Sequence, residues 1–326
     1  KYMEENTEQR IDLTLFSEKI QELKDRIASV IVGQEQTVDL VLTAILANGH
    51  ILIEGVPGVA KTLLARLTAR LVDADFSRIQ FTPDLMPSDV LGTTVFNMKN
   101  NDFDFHRGPI FADIVLVDEI NRAPAKTQAA LFEVMEERQI TIDGMTYRMG
   151  DLYTILATQN PVEQEGTYKL PEAQLDRFLM KITMSYPSLD EEVNILERHH
   201  TNTSLVKLDN VVPAITREEL LALRALMGQV FVDRTLLQYI AMIVQQTRTS
   251  KAVYLGASPR ASVAMLQSSK AYALLQGRDF VTPEDIKFVA PFVLQHRLIL
   301  TAEAEMEGYS PVKVTQRLID RVEVPK

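Results

Sequence analysis

One eight-residue stretch limits this chain to few folds. Residues 55–62 read Gly55-Val56-Pro57-Gly58-Val59-Ala60-Lys61-Thr62. They fit the phosphate-loop pattern G-x-x-x-x-G-K-[ST] except at Ala60, which stands where the second glycine is usual. The context is the required one. Residues 50–54 (HILIE) read as an apolar strand before the loop, and residues 61–71 as a helix after it. Backbone N–H groups of such a loop, with the helix N-terminus, form an anion site. Lys61 is placed to reach the β and γ phosphates of a nucleotide, and Thr62 to offer its hydroxyl to Mg2+. Alanine accepts helical φ/ψ, so Ala60 is expected in helical backbone at little cost.

The rest of the first half repeats the same strand–helix alternation. Leu13, Phe16, Ile20, Leu23, Ile27 and Val30 recur at spacings of three and four, so 13–31 is an amphipathic helix that Gly33 ends. A second helix covers about 35–48, closed by Asn48-Gly49. Further strands are read at 77–82, 114–117 (IVLV), 153–158 (YTILAT) and 179–184. Nearly continuous apolar strands between helices predict an α/β core: a five-stranded, mainly parallel sheet covered on both faces. Two hairpins interrupt it. One pairs 93–97 with 103–106, and the other pairs 139–142 with 146–149 across Asp143-Gly144.

After Tyr186-Pro187 the pattern turns helical. Ser188 to Glu191 and Thr216 to Glu219 are capping boxes, and Thr282-Pro283-Glu284-Asp285 is a helix start with proline at its first position. Two domains are therefore expected, a nucleotide-binding core at 1–187 and a helical lid at 188–326.

The strand at 114–117 runs into Asp118-Glu119, about sixty residues beyond the loop. Asp118 is the candidate for the Mg2+ shell, and Glu119 for orienting and polarising an attacking water. The strand at 153–158 ends in Gln159-Asn160-Pro161. A polar amide at that tip can touch the γ phosphate and the water. Asn160 is the better candidate and Thr158 the weaker.

Composition narrows the alternatives. The net charge of −10 argues against general affinity for nucleic acid. There is no cysteine, hence no disulfide or thiolate metal site, which fits a reducing cytosol. No window has the roughly 18 apolar residues of a membrane helix. The segment Lys1 to Arg10 is acidic and polar and shows no signal peptide. The histidines, among them His199-His200, lack metal-ligand spacing.

Five ordered motifs together resemble the MoxR family of AAA+ ATPases: GVPGVAKT, LVDEINRAP at 116–124, ATQNP at 157–161, LPEAQLDRF at 170–178 and GASPRAS at 256–262. The resemblance runs from about Ile31 to about Pro291. It implies an ATPase with ATP and Mg2+ as ligands, acting as a homo-oligomeric ring, expected to be a hexamer. The nucleotide would be bound by Gly55 to Leu63, with Val56, Pro57, Gly58 and Val59 in the loop, and by Val32, Gly33 and Gln34 against adenine. Arg177 matches the arginine finger that serves the neighbouring subunit, and Arg260 the lid's sensor arginine, in cis or in trans. Arg122 would face the subunit interface. Gln80 and Thr82 end the second strand, where some relatives keep a polar switch on the catalytic glutamate.

The two hairpins match this branch's inserts. Both are expected on the sheet's working edge, with Phe103, Met145 and Tyr147 available to grip a substrate. Family analogy suggests remodelling, assembly or metal loading of a protein client, such as one with a von Willebrand A domain, in the cytoplasm. Two rivals are weighed. A nucleic-acid motor would share these inserts, but Lys99 and Arg148 are the main cations near the tips. A nucleotide-dependent scaffold without turnover is opposed by the intact set Glu119, Asn160 and Arg177.

Overall fold

The computed structural model describes residues 12–56, 58–99, 101–160, 167–201 and 208–325. Pro57 and Pro161, named in the motifs above, lie outside the described residues.

Helices α1 (Thr14–Val30) and α2 (Glu35–Leu46) lead into β1 (Ile51–Gly55), and α3 (Lys61–Leu71) follows the loop. Then come β2 (Phe76–Gln80), α4 (Pro87–Leu91), the hairpin β3 (Gly92–Asn97) with β4 (Asp102–Arg107), β5 (Ile114–Asp118) and α5 (Ala125–Glu137). The second hairpin is β6 (Gln139–Ile142) with β7 (Met145–Arg148). After it come β8 (Thr154–Gln159), α6 (Glu172–Leu175) and β9 (Met180–Met184). Gly33 does not itself end α1. That helix stops at Val30, because Ile31 turns extended, and Gly33 at φ +70° makes the turn into α2.

Among the described residues, five strands form one sheet in the order β2-β5-β8-β1-β9, and every neighbouring pair is parallel. The two-residue period of a strand sorts the side chains. Ile51 and Ile53 join the apolar cluster with α1, α2 and α3, whereas Leu52 joins the opposite cluster with α5 and the hairpins. Burial on both faces is why these strands read as unbroken apolar runs.

Beyond β9 lie α7 (Leu189–His200), α8 (Arg217–Ala225), α9 (Arg234–Thr249), β10 (Val253–Leu255), α10 (Pro259–Leu275), α11 (Pro283–Leu294), β11 (Ile299–Leu300), α12 (Ala302–Met306) and α13 (Pro311–Asp320). The capping boxes expected at Ser188 and Thr216 are formed, and the helix start at Thr282 carries one too, each hydroxyl accepting from the backbone N–H three residues on. This half is helical apart from the short antiparallel pair β10–β11. Its core is continuous with the first cluster, so lid residues such as Tyr239 and Met265 share one apolar mass with β1. Arg297, just past α11, donates to Asp176 Oδ1 at 2.6 Å and to Phe178 O at 2.8 Å, which pins the segment before β9 to the lid.

The hairpins depart from expectation. The phosphate loop follows the C-terminal end of β1, but the second hairpin joins α5 to the N-terminal end of β8. Helix α5 runs back along the sheet, so its end delivers the chain to the opposite edge. The hairpins pack on each other. The rings of Phe105 and Tyr147 are 4.4 Å apart, and Thr94 Oγ1 donates to Asp143 Oδ2 at 2.6 Å. Tyr147 is thus half-buried in the hairpin pair rather than free to grip, whereas Met98, Phe103 and Met145 are exposed.

Candidate functional site

The loop after β1 is shaped by close approach and by sign of φ. A Cβ on Gly55 would lie 2.8 Å from Met184 O, so β9 crowds the first loop position. Gly58 has φ +88° and open space around it. Ala60 corrects the sequence expectation. It lies at φ 58°, ψ 23°, in left-handed rather than helical backbone. The loop must reverse direction to aim N–H groups at one point, and the reversal falls on the position where glycine is usual. A Cβ there costs on the order of 1 kcal/mol.

Lys61 opens α3 and folds back so that Nζ donates to Gly55 O at 2.7 Å, across the loop's own mouth. Burial lowers the pKa of its ammonium, while the charges of Asp118 and Glu119 act to raise it. The cation and both carboxylates therefore share one electrostatic site. Thr62 and Leu63 are half-buried in the first turn of α3.

Asp118 ends β5 and is buried, with both oxygens engaged. Oδ1 accepts from Thr158 Oγ1 at 3.1 Å and Oδ2 from Arg78 Nε at 2.6 Å. Glu119 follows at φ 56°, again left-handed, which swings its side chain away from the strand line. Its backbone N–H donates to the same Thr158 hydroxyl at 3.0 Å. Thr158 is thus a clasp between β8 and the acidic pair. Gln80 Nε2 donates to Glu119 Oε2 at 2.8 Å, and Arg122 Nη1 lies 3.3 Å from that oxygen. In this chain Arg122 pairs with its own Glu119. Asn160 is buried just past the end of β8. Val32, Gly33 and Gln34 form the half-buried turn between α1 and α2, with Gln34 Oε1 accepting from Thr37 Oγ1 at 2.9 Å.

A hydroxyl, a carboxylate and a loop of backbone N–H groups beside Lys61 suit a hard divalent cation with a polyphosphate. No cluster of His, Asp and Glu that could hold a metal by itself occurs among the described residues. The cation's remaining ligands would then be phosphate oxygens and water.

Arg177 and Arg260 lie elsewhere. Leu179 N–H donates to His50 O at the N-terminal end of β1, and Arg177 Nη1 donates nearby to Phe132 O at 3.0 Å. Arg177 and Arg260 each contact one carboxylate, Glu136, at 3.4 Å. Five residues of β1 separate this edge from the phosphate loop, about 15 Å of strand. The site residues thus fall into two groups at opposite edges. Asp176, the neighbour of Arg177 in sequence, is taken instead by Arg297. Sequence reading missed Arg78 and Glu136. Arg78 was discoverable, since it is two residues before Gln80 and shares its strand face. Glu136 gave no local signal.

This fold and loop chemistry define a P-loop ATPase of the AAA+ class. The family model described as "ATPase family associated with various cellular activities (AAA)" matches residues 50–180, and that of the AAA lid domain matches 245–319. The chain is 44% identical to Chaperone MoxR1 of Mycobacterium tuberculosis over 91% of itself and 80% of that protein. It is 31% identical to Protein MoxR of Methylorubrum extorquens, covering 90% and 91%. A crystal structure of a provisionally assigned ATPase from Cytophaga hutchinsonii superposes with a TM-score of 0.88 at 41% identity, covering 97% of each chain. The chain belongs to the MoxR family of AAA+ ATPases.

Proposed function

We propose that this ATPase binds Mg-ATP between subunits of a homo-oligomeric ring, a hexamer by family expectation, and couples hydrolysis to remodelling a protein client. The observation that carries the reading is the separation of Arg177 and Arg260 from the phosphate loop of their own chain. Both arginines meet at Glu136 on the opposite edge of the sheet. Arginines so placed are set to serve a phosphate across a subunit boundary, which supports action in trans for Arg260 as well as Arg177.

The roles follow from chemistry. Gly55, Val56, Pro57, Gly58, Val59 and Ala60 cradle the phosphates, with Leu63 behind them, while Val32, Gly33 and Gln34 flank the base. Lys61 neutralises charge on the β and γ phosphates. Thr62 and Asp118 would hold Mg2+, whose charge stabilises the phosphate oxygens as charge develops on them. Glu119 orients and polarises the attacking water, Asn160 contacts water and γ phosphate, and the partner copy supplies an arginine. The core is assigned to 1–187 and the lid to 188–326.

A chaperone-like role is supported by the name of the Mycobacterium tuberculosis relative. A von Willebrand A domain protein is the client class that family membership suggests, and the cytoplasm the compartment. No helix among the described residues is long and apolar enough to cross a membrane.

Mixing tests the trans assignment. Arg177→Ala subunits keep a whole phosphate loop, and Lys61→Ala subunits keep Arg177. Each alone should be inactive, and co-assembled mixtures should recover part of the turnover. Absence of recovery at every ratio, in rings shown to be mixed, would remove Arg177 from the neighbour's site.

A further inference from the structure

Arg78 belongs to none of the roles above, yet it touches the acidic centre directly. It lies on the edge strand β2, two residues before Gln80, so both side chains leave the same face. Its Nε donates to Asp118 Oδ2 at 2.6 Å and its Nη2 to Gln80 Oε1 at 3.2 Å. Gln80 Nε2 then donates to Glu119 Oε2 at 2.8 Å. One unbroken chain of hydrogen bonds therefore runs from Asp118 through Arg78 and Gln80 to Glu119.

The direction of this chain is set by chemistry. A guanidinium only donates and a carboxylate only accepts. An amide between them has one orientation that satisfies both: oxygen toward Arg78, nitrogen toward Glu119. Arg78 thereby makes Gln80 a donor to Glu119. Arg78 also places a full positive charge on Asp118 Oδ2, where a divalent cation would have to share the oxygen or displace it. Thr158 already occupies Oδ1.

We propose that Arg78 is a positioning residue for hydrolysis, which competes with the divalent cation for Asp118 and, through the Gln80 amide, ties cation arrival there to release of Glu119. A cation drawing on Oδ2 weakens the hold of Arg78. Gln80 then loses the partner that fixes its amide, and Glu119 Oε2 keeps only the longer Arg122 contact at 3.3 Å, leaving room for water. Coupling of this kind is reciprocal: whatever Arg78 contributes to restraining Glu119, it subtracts from affinity for the cation.

The proposal rests on the ATPase site described above, and the experiment separates the two. A fluorescent, non-hydrolysable ATP analogue is titrated with Mg2+ on full-length wild type, Lys61→Ala, Arg78→Met, Arg78→Lys and Gln80→Leu. Lys61→Ala should abolish analogue binding; if it does not, the site assignment itself fails. Arg78→Met should lower the half-saturating Mg2+ concentration roughly tenfold, the scale on which one adjacent charge shifts a carboxylate's affinity for a cation. Arg78→Lys, which keeps the charge, should restore most of the wild-type value. Gln80→Leu, which cuts the link to Glu119 but leaves the Arg78 charge, should lower the Mg2+ requirement by a smaller factor than Arg78→Met, because the coupling is reciprocal. Basal turnover should rise in both Arg78→Met and Gln80→Leu, and the double variant should rise no further than either. Arg78 is half exposed on an edge strand, so folding should survive; Arg78→Gln is the replacement if Arg78→Met does not fold. An unchanged or raised Mg2+ requirement in a folded, neutral Arg78 variant, with Lys61→Ala inactive in binding, overturns the proposal. Independent, additive effects of Arg78 and Gln80 on turnover overturn it equally.

Discussion

Gln80 Nε2 donates to Glu119 Oε2 at 2.8 Å, which links the tip of the edge strand to the candidate catalytic base. A carboxylate held this way is less free to engage water. Gln80→Leu is therefore expected to raise basal turnover about tenfold, the lower end of what a hydrogen bond to a charged group is worth. Glu119→Gln should bind ATP as wild type does and lose turnover. Steady-state phosphate release beside equilibrium nucleotide binding checks both. Full hydrolysis in Glu119→Gln would withdraw its assignment as base.

Ala60 gives a second expectation. Its left-handed backbone is tolerable for alanine and poor for a β-branched residue. Ala60→Gly removes about 1 kcal/mol of strain and adds up to about 1 kcal/mol of unfolded-state entropy, so stability should change little. Ala60→Val should lower the melting temperature and weaken ATP binding at least tenfold, because the loop can no longer reverse without a clash. Equal nucleotide affinity in the valine variant would show that this φ is not needed for binding.

His50 predicts a pH dependence. The ring is buried between β1 and α5, with Nδ1 accepting from Ile155 N–H at 3.0 Å and Nε2 in contact with Met135 O at 3.1 Å. That pattern requires the neutral ring with its proton on Nε2. Burial, then the nearby Arg138 charge, lowers its pKa from 6.5 to about 3. A depressed pKa means that the unfolded chain takes up the proton first. Stability is complete above pH 6.5 and declines as pH falls toward 3, by about 1.4 kcal/mol per unit once well below the upper value. His296 has the same sign, so the comparison must be with His50→Gln. Urea midpoints of the two proteins should converge between pH 7 and 5. A constant difference across that range removes His50 as the cause.

The exposed apolar tips predict the kind of partner. Met98, Phe103 and Met145 project into solvent, and Arg107 lies over the Phe111 ring, 5.1 Å from its centroid. Binding to a phosphate backbone requires several cations and falls steeply with salt. The analogue-loaded protein should therefore show no salt-steep binding to single- or double-stranded DNA. Changing all three tip residues to serine should leave basal turnover and melting unaltered and remove stimulation by a protein client. Micromolar DNA binding that collapses with added salt, with DNA-stimulated turnover, would favour the motor reading.

The sheet, the loop and the acidic pair were legible in the sequence because each depends on short-range pattern. Apolar runs bounded by glycine and capping residues fix β1, β5 and β8 almost residue by residue. Three things were not legible. The φ of Ala60 follows from where the loop must reverse, not from alanine's own preference. The place of the β6–β7 hairpin follows from α5 running antiparallel to the strands. Arg177, Arg260 and Glu136 are far apart in sequence and meet only after the lid has docked. Thr158, the weaker of two sequence candidates, holds the acidic pair through bonds that depend on register between β5 and β8.

Helix α5 begins six residues after Glu119, where the chain leaves the acidic centre, and its last turn carries Glu136, which touches both Arg177 and Arg260. A helix of 13 residues is a stiff rod about 20 Å long. One end of the rod moves with the site a subunit owns, and the other with the arginines it would lend to its neighbour. A tilt caused at one end would therefore appear at the other, and a closed ring of such subunits, if they assemble as proposed, would have a mechanical circuit that runs through every site in turn.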